Sequence, residues 1–83
     1  MATYIAKGAI VTNPSANDIS RAQFVYCVAT TTAQTVVVKD SDGNTLGEIY
    51  LALAGDSVCV EKAPSDTITL SAGKVSAVGS PRS

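Results

Sequence analysis

The fold is decided by residues 34–53, which run QTVVVKDSDGNTLGEIYLAL. Apolar and polar residues alternate on both sides of the central segment DSDGN, a pattern typical of two β-strands joined by a turn. Gly43 supplies the positive φ that a tight hairpin needs. We therefore predict a hairpin with strands at 34–39 and 45–53, in which Gly47 marks a bulge. Two sets of side chains then face opposite sides of the second strand: Leu46, Glu48 and Tyr50 on one, and Ile49, Leu51 and Leu53 on the other.

The same alternation extends from this hairpin towards both ends of the chain. It predicts further strands at 3–12, 23–31, 57–62, 67–71 and 74–79, separated by segments rich in Gly, Pro, Asn and Asp. Gly8 indicates a bulge or a close backbone contact in the first strand. Between the first two strands we expect a loop at 13–18 and a helical turn at 18–22 that Asp18 caps.

About seven short antiparallel strands favour an all-β fold. The prediction is a compact antiparallel β-sandwich or jelly-roll-like domain, and a small β-barrel is the alternative. The 83 residues form a single domain, residues 1–83. Within it, residues 1–12 are a candidate exchanged or edge strand, and residues 80–83 are predicted to be an exposed tail.

The strand at 23–31 is apolar on both faces. Phe24, Tyr26 and Val28 share one face, and Val25, Cys27 and Ala29 share the other. A strand with two apolar faces is typically covered on both sides. We expect the domain core on one side and a neighbouring subunit on the other.

The core predicted for this chain is lean, because its apolar residues are mostly alanine and valine. A domain of this size rarely gains more than roughly 3–5 kcal/mol from its own core. Oligomerisation or a disulfide between Cys27 and Cys59 would add to that stability. Both cysteines lie in strand-like contexts, which favours two reduced, buried thiols; a disulfide requires that the two strands be neighbours.

Composition excludes several function classes. The chain has no histidine, so it lacks an imidazole base and histidine-ligated metal. A net charge of −1 with only 16% charged residues argues against binding nucleic acid. Every apolar run is far shorter than the roughly 20 residues of a membrane-spanning helix, and the first residues do not have the pattern of a signal peptide.

One segment partly matches the ligand spacing of a calcium-binding loop. Asp40, Asp42 and Asn44 have the spacing of its first three ligands, but the glycine is at the fourth position, and Leu51 stands where a glutamate is needed. We therefore predict no metal, no cofactor and no catalytic residues, and a protein that is not an enzyme.

Two segments of the second half, VVVKDSDGNTLG (36–47) and VCVEKAPSDTI (58–68), resemble small β-rich structural proteins of tailed phages that infect marine bacteria and cyanobacteria. The resemblance covers residues 36–78 and consists of turns and strands, so it transfers no functional residue. It implies a capsid decoration or cement protein on the surface of the virion, made in the host cytoplasm. The implied partners are the major capsid protein or another virion protein, together with further copies of the chain in a trimer or pentamer.

Seven residues are the candidate interface for such contacts: Tyr4, Ile5, Phe24, Tyr26, Tyr50, Glu61 and Lys62. Glu61 and Lys62 are expected at an interface rim or a solvated strand end. One alternative function is a small binding module for carbohydrate or a host surface, with Tyr4 and Tyr50 stacking on sugars. Another is a soluble inhibitor of a host protein, with the loop at 13–18 as its contact.

Overall fold

The computed structural model describes residues 5–79, and in this part of the chain it is all-β. Seven strands form two antiparallel sheets, as predicted, and they enclose one core as a small β-sandwich. The strands are Val11–Thr12 (β1), Phe24–Ala29 (β2), Gln34–Lys39 (β3), Thr45–Leu51 (β4), Ser57–Glu61 (β5), Thr67–Thr69 (β6) and Gly73–Val78 (β7). Among the described residues there is no helix that is long and apolar enough to cross a membrane.

The two sheets have the strand orders β1-β7-β2-β5 and β4-β3-β6. They are separate, so the barrel alternative does not apply to the described residues. β2 is a central strand of its sheet: Val25 lies between Val60 on β5 and Ala77 on β7. The buried core is made of small and medium aliphatic side chains from both sheets. It contains Ile19, Val25, Cys27, Ala29, Val36, Val38, Leu51, Val60, Ile68, Leu70, Val75 and Ala77.

The hairpin at the centre of the sequence forms as β3 and β4. Its turn is organised by Asp40, whose Oδ1 accepts hydrogen bonds from the backbone N–H groups of Asp42 (3.0 Å) and Asn44 (2.9 Å). Gly43 has φ 88°, the positive value that the turn requires. These contacts use the Asp40 carboxylate within the turn. Among the described residues, no group of three or more acidic or cysteine side chains could hold a metal ion.

The predicted bulge is present in β4. Val38 pairs with Gly47 and Lys39 pairs with Thr45, so Leu46 is the extra residue. Ile49 and Leu51 point inwards as expected. Leu53 does not: β4 ends at Leu51, and Leu53 lies in the following turn with 62% of its surface exposed.

The N-terminal strand is shorter than the predicted 3–12. Within the described part, only Val11–Thr12 forms a ladder with β7, and Ala6 makes an isolated bridge to Val78. Val11 pairs with Val75. Between the Ala6 and Val11 contacts, the four residues 7–10 of this N-terminal arm therefore lie alongside only two residues of β7, 76 and 77. This extra length begins at Gly8, where an irregularity was expected. Residues 5–10 are exposed along the edge of β7.

The turn at 18–22 exists but has the opposite hand to the helical turn predicted. Ile19, Ser20 and Arg21 have φ values of 53°, 56° and 57°, so the backbone is left-handed. Such a conformation costs roughly 1–2 kcal/mol per residue. The side chain of Ile19 is 1% exposed, and burying an isoleucine contributes roughly 1.5–3 kcal/mol. Core burial of Ile19 therefore offsets a large part of the strain, a term that local sequence does not reveal.

Candidate interaction surface

The predicted interface residues lie on different parts of the sandwich. Phe24, Tyr26 and Glu61 lie together on the outer face of the four-stranded sheet, where Phe24 pairs with Glu61 across β2 and β5. Tyr50 lies on β4, in the other sheet. Ile5 lies on the arm beside β7, and its carbonyl accepts a hydrogen bond from the backbone N–H of Gly79 (2.6 Å). Tyr4 lies outside the described residues.

The two faces of β2 differ in burial. Val25, Cys27 and Ala29 are at most 1% exposed and belong to the core. Phe24, Tyr26 and Val28 are half-buried on the outer face. This outer face is where the sequence places a neighbouring subunit, and in the isolated chain it remains partly open to solvent.

Lys62 is buried rather than exposed at a strand end. Its side chain is 6% exposed, and its Nζ donates a hydrogen bond to the carbonyl of Ala63 (3.3 Å). Burial lowers the pKa of Lys62 below its ordinary value, while the nearby carboxylates of Asp18 and Asp66 oppose this effect and Arg21 adds to it. The local sequence of an exposed strand end cannot show this, because the loop at 15–23 that brings Asp18 and Arg21 is remote in the chain.

The two cysteines are free. In the β2–β5 pairing, Cys27 lies opposite Val58 and Cys59 lies opposite Tyr26. Opposed residues share a face of a sheet and successive residues alternate, so Cys27 points into the core and Cys59 points to the outer face. The strands are neighbours, yet the thiols are on opposite sides of the sheet and cannot bond within one chain.

Exposed apolar side chains are found on the N-terminal segment, where Ile10 is 62% exposed, and on and after β4, in a region that the sequence identified only in part. Leu46, Tyr50 and Leu53, on β4 and the turn after it, are 57%, 64% and 62% exposed. We call Leu46, Glu48, Tyr50 and Leu53 the β4 surface. Of its apolar residues, only Tyr50 was among the predicted interface residues. Alternation placed Leu46 on the same face as Tyr50 and placed Leu53 on the opposite face, with Ile49 and Leu51.

A groove adjoins the β4 surface on the inner side of the same strand. It has a volume of about 300 Å³ and lies between the edges of the two sheets. Val38, Gly47 and Ile49 of one sheet and Val60 of the other contribute to its lining. A Cβ atom at Gly47 would meet no atom within 4 Å, so this side of the sandwich is incompletely filled.

Chemically, these surfaces offer apolar contact area and free backbone groups. Burial raises the pKa of the Cys27 thiol to about 12, so it stays protonated at neutral pH and is a poor nucleophile. No protein-family model matches this sequence, and neither a curated protein nor a solved structure matches it significantly.

Proposed function

We propose that this chain is a structural protein of a virus particle, of the capsid decoration or cement type. In this role it stabilises the shell by binding the major capsid protein or another virion component. It resides on the capsid surface after synthesis in the host cytoplasm and is present in many copies. The resemblance of residues 36–78 to small phage structural proteins motivates the proposal.

The observation that best supports a binding role is the β4 surface. Large apolar side chains that lie together on the surface of a small monomer typically mark an interface. Leu46, Tyr50 and Leu53 are each more than half exposed, on a chain in which only 16% of residues are charged. Uncharged surface costs little to desolvate, so this region is suited to burial against a larger partner.

Purified particles test the proposal directly. Quantitative mass spectrometry should find the chain at a fixed, stoichiometric ratio to the major capsid protein. Particles that lack the chain should be less resistant to heat, and adding the purified chain should restore this resistance. A Leu46→Ser/Tyr50→Ser double variant should rebind more weakly, whereas Thr12→Ala, on the edge of the other sheet, should rebind normally. Absence of the chain from purified particles would refute the virion role.

A carbohydrate-binding module is the second candidate, and it is supported by the exposure of Tyr50. An exposed tyrosine ring is able to stack on the apolar face of a sugar, and Tyr50 is 64% exposed on an edge strand. Binding on a glycan array that disappears in a Tyr50→Ala variant would favour this function. Equal binding of both proteins, or none, would exclude Tyr50 as a sugar platform.

The host-inhibitor alternative depends on the loop at 13–18. This loop is anchored to β6: the Leu70 N–H donates to the Pro14 carbonyl (2.9 Å), and the Ala16 N–H donates to Thr69 Oγ1 (3.0 Å). An anchored loop is pre-organised for binding. Affinity capture with host proteins, compared between the native loop and one with Ser15 and Ala16 replaced by glycine, tests this alternative.

A further inference from the structure

The free edge of β4 is the longest uncovered strand edge among the described residues. β4 has seven residues, whereas β5 and β1, at the two edges of the other sheet, have five and two. The edge of β6 is covered, because Asn17 exchanges two backbone hydrogen bonds with Ile68 (2.8 and 3.1 Å). β4 contains no lysine and no proline, the residues that commonly protect an edge from pairing. A long, exposed, partly apolar edge is suited to adding another strand.

The backbone of β4 determines which residues are able to form such a pair. The Asp40 N–H donates to the Asn44 carbonyl (2.9 Å), so Asp40 directs its backbone groups to β4. Every second residue of β3 before Asp40 does the same, and these residues are opposite Gly47, Ile49 and Leu51. These three residues of β4 therefore direct their backbone groups towards β3. Glu48 and Tyr50 direct theirs to the free edge.

These free groups are complementary to a second copy of the same strand. Antiparallel self-pairing about Ile49 places Ile49 opposite Ile49 and Glu48 opposite Tyr50 twice, and each Glu48–Tyr50 pair exchanges two hydrogen bonds. All the groups used are free in the isolated chain. The same pairing adds apolar side chains beside the groove that Ile49 and Gly47 line.

Side-chain charge selects this register over the next one. Pairing about Glu48 would put the two Glu48 carboxylates directly opposite each other, and like charges in opposed positions are destabilising. Pairing about Ile49 instead puts Glu48 opposite Tyr50 twice. The tyrosine ring then packs against the aliphatic part of the glutamate, and its hydroxyl is a donor that the carboxylate is able to accept.

We infer that the chain forms a two-fold symmetric dimer in which β4 pairs antiparallel with β4 of a second copy, in register about Ile49. The two three-stranded sheets become one continuous six-stranded sheet. This contact is isologous and closes at two copies, so it differs from the predicted trimer or pentamer. The inference does not depend on the virion role, because it concerns the isolated chain.

The test measures the native mass of the purified chain by analytical ultracentrifugation in a reducing buffer, over micromolar to about millimolar concentrations. The wild type should reach the mass of a dimer. Tyr50→Glu should weaken the dimer about tenfold or more, because the new carboxylate faces Glu48 in both symmetric pairs. Tyr50→Lys is the matched control and should dimerise at least as well as the wild type. The double variant Glu48→Lys/Tyr50→Glu should restore dimerisation.

Hydrogen exchange provides a second measurement that does not depend on a variant. At dimer-forming concentrations the amides of Glu48 and Tyr50 should exchange more slowly than in dilute solution, whereas those of Gly47, Ile49 and Leu51, which already pair with β3, should change less.

Three results would overturn the inference. A monomer at all concentrations would do so, as would a trimeric or pentameric mass. A dimer that is equally stable in Tyr50→Glu and Tyr50→Lys would also overturn it. If that dimer dissociates when residues 1–10 are removed, the two copies are joined by exchange of the N-terminal arm instead. A dimer that behaves as expected in a chain absent from particles would keep the inference and refute the proposed virion role.

Discussion

The buried thiol of Cys27 should make this domain less stable at alkaline pH. Burial, with a smaller effect from Cys59, raises the pKa of Cys27 from its ordinary value of 9.0 to about 12. In the unfolded chain the thiol loses its proton at its ordinary pKa. Between these two values the unfolded state binds fewer protons than the folded state, so the free energy of unfolding falls as pH rises.

The size of this effect follows from the two pKa values. The thiol has a pKa of 9.0 in the unfolded chain and about 12 in the folded chain. At about pH 10 it is therefore ionised mainly in the unfolded chain, which lowers the free energy of unfolding by about 1.4 kcal/mol. At about pH 11 the loss is about 2.7 kcal/mol. Since small domains typically have an unfolding free energy of only about 5–15 kcal/mol, the decrease is readily measurable.

Urea denaturation at pH 7, 10 and 11 in a non-thiol reductant measures this loss. Cys27→Ala destabilises the core at every pH, but its stability should fall less between pH 7 and 11 than that of the wild type, by about 2.7 kcal/mol. Cys59→Ala, which alters the outer face, should keep the Cys27-dependent loss. Equal pH dependence in the wild type and in Cys27→Ala would refute the assignment of Cys27 to the core.

Three further predictions concern packing, the turn and the buried lysine. Gly73→Ala should lower the free energy of unfolding by roughly 1–3 kcal/mol in urea melts, because its Cβ would overlap the Leu70 side chain and lie 2.6 Å from the backbone carbonyl oxygen of Val28. Gly47→Ala, where a Cβ meets open space, is the control, and an equal cost at both sites would contradict this. Asp40→Ala should destabilise the hairpin at neutral pH in urea melts, and its difference in stability from the wild type should vanish on acidification. The hydrogen bonds of the turn hold the pKa of Asp40 below 3.8. The stabilisation that they provide is therefore lost as pH falls through that lowered pKa. Lys62→Met should be at least as stable as the wild type at pH 7. It should also lose the rise in stability that the lowered pKa of Lys62 produces as pH increases from that pKa to 10.5. Lower stability of the variant by calorimetry would contradict this and show that the attraction of Lys62 to the carboxylates of Asp18 and Asp66 outweighs the cost of its burial.

Strand positions could be predicted well from the sequence, because alternation and turn residues are local signals. β3 forms at the predicted residues 34–39, and the other strands of the hairpin and the second half differ by two residues or fewer at each end. The turn at Asp40–Asn44 follows from side-chain hydrogen bonds between near neighbours in the chain.

The candidate site could be predicted less well, because exposure depends on which strand lies at an edge. Tyr50 was identified as a surface aromatic, and it is 64% exposed. Leu53 was placed in the strand, which in fact ends at Leu51. Lys62 was placed at an interface rim or a solvated strand end, but it is buried. Neither event leaves a signal in the neighbouring residues.

The sequence by itself determined the β-class of this protein, the position of its hairpin and the two apolar faces of β2, since each depends on the alternation of side chains and on turn chemistry. Only the tertiary structure decided the pairing of strands into two sheets, and hence three consequences: Cys27 and Cys59 lie on opposite faces, residues 19–21 adopt a left-handed turn, and β4 has a free edge. Each arises from contacts between residues far apart in the chain. Their energy is gained only when the whole sandwich closes around its core.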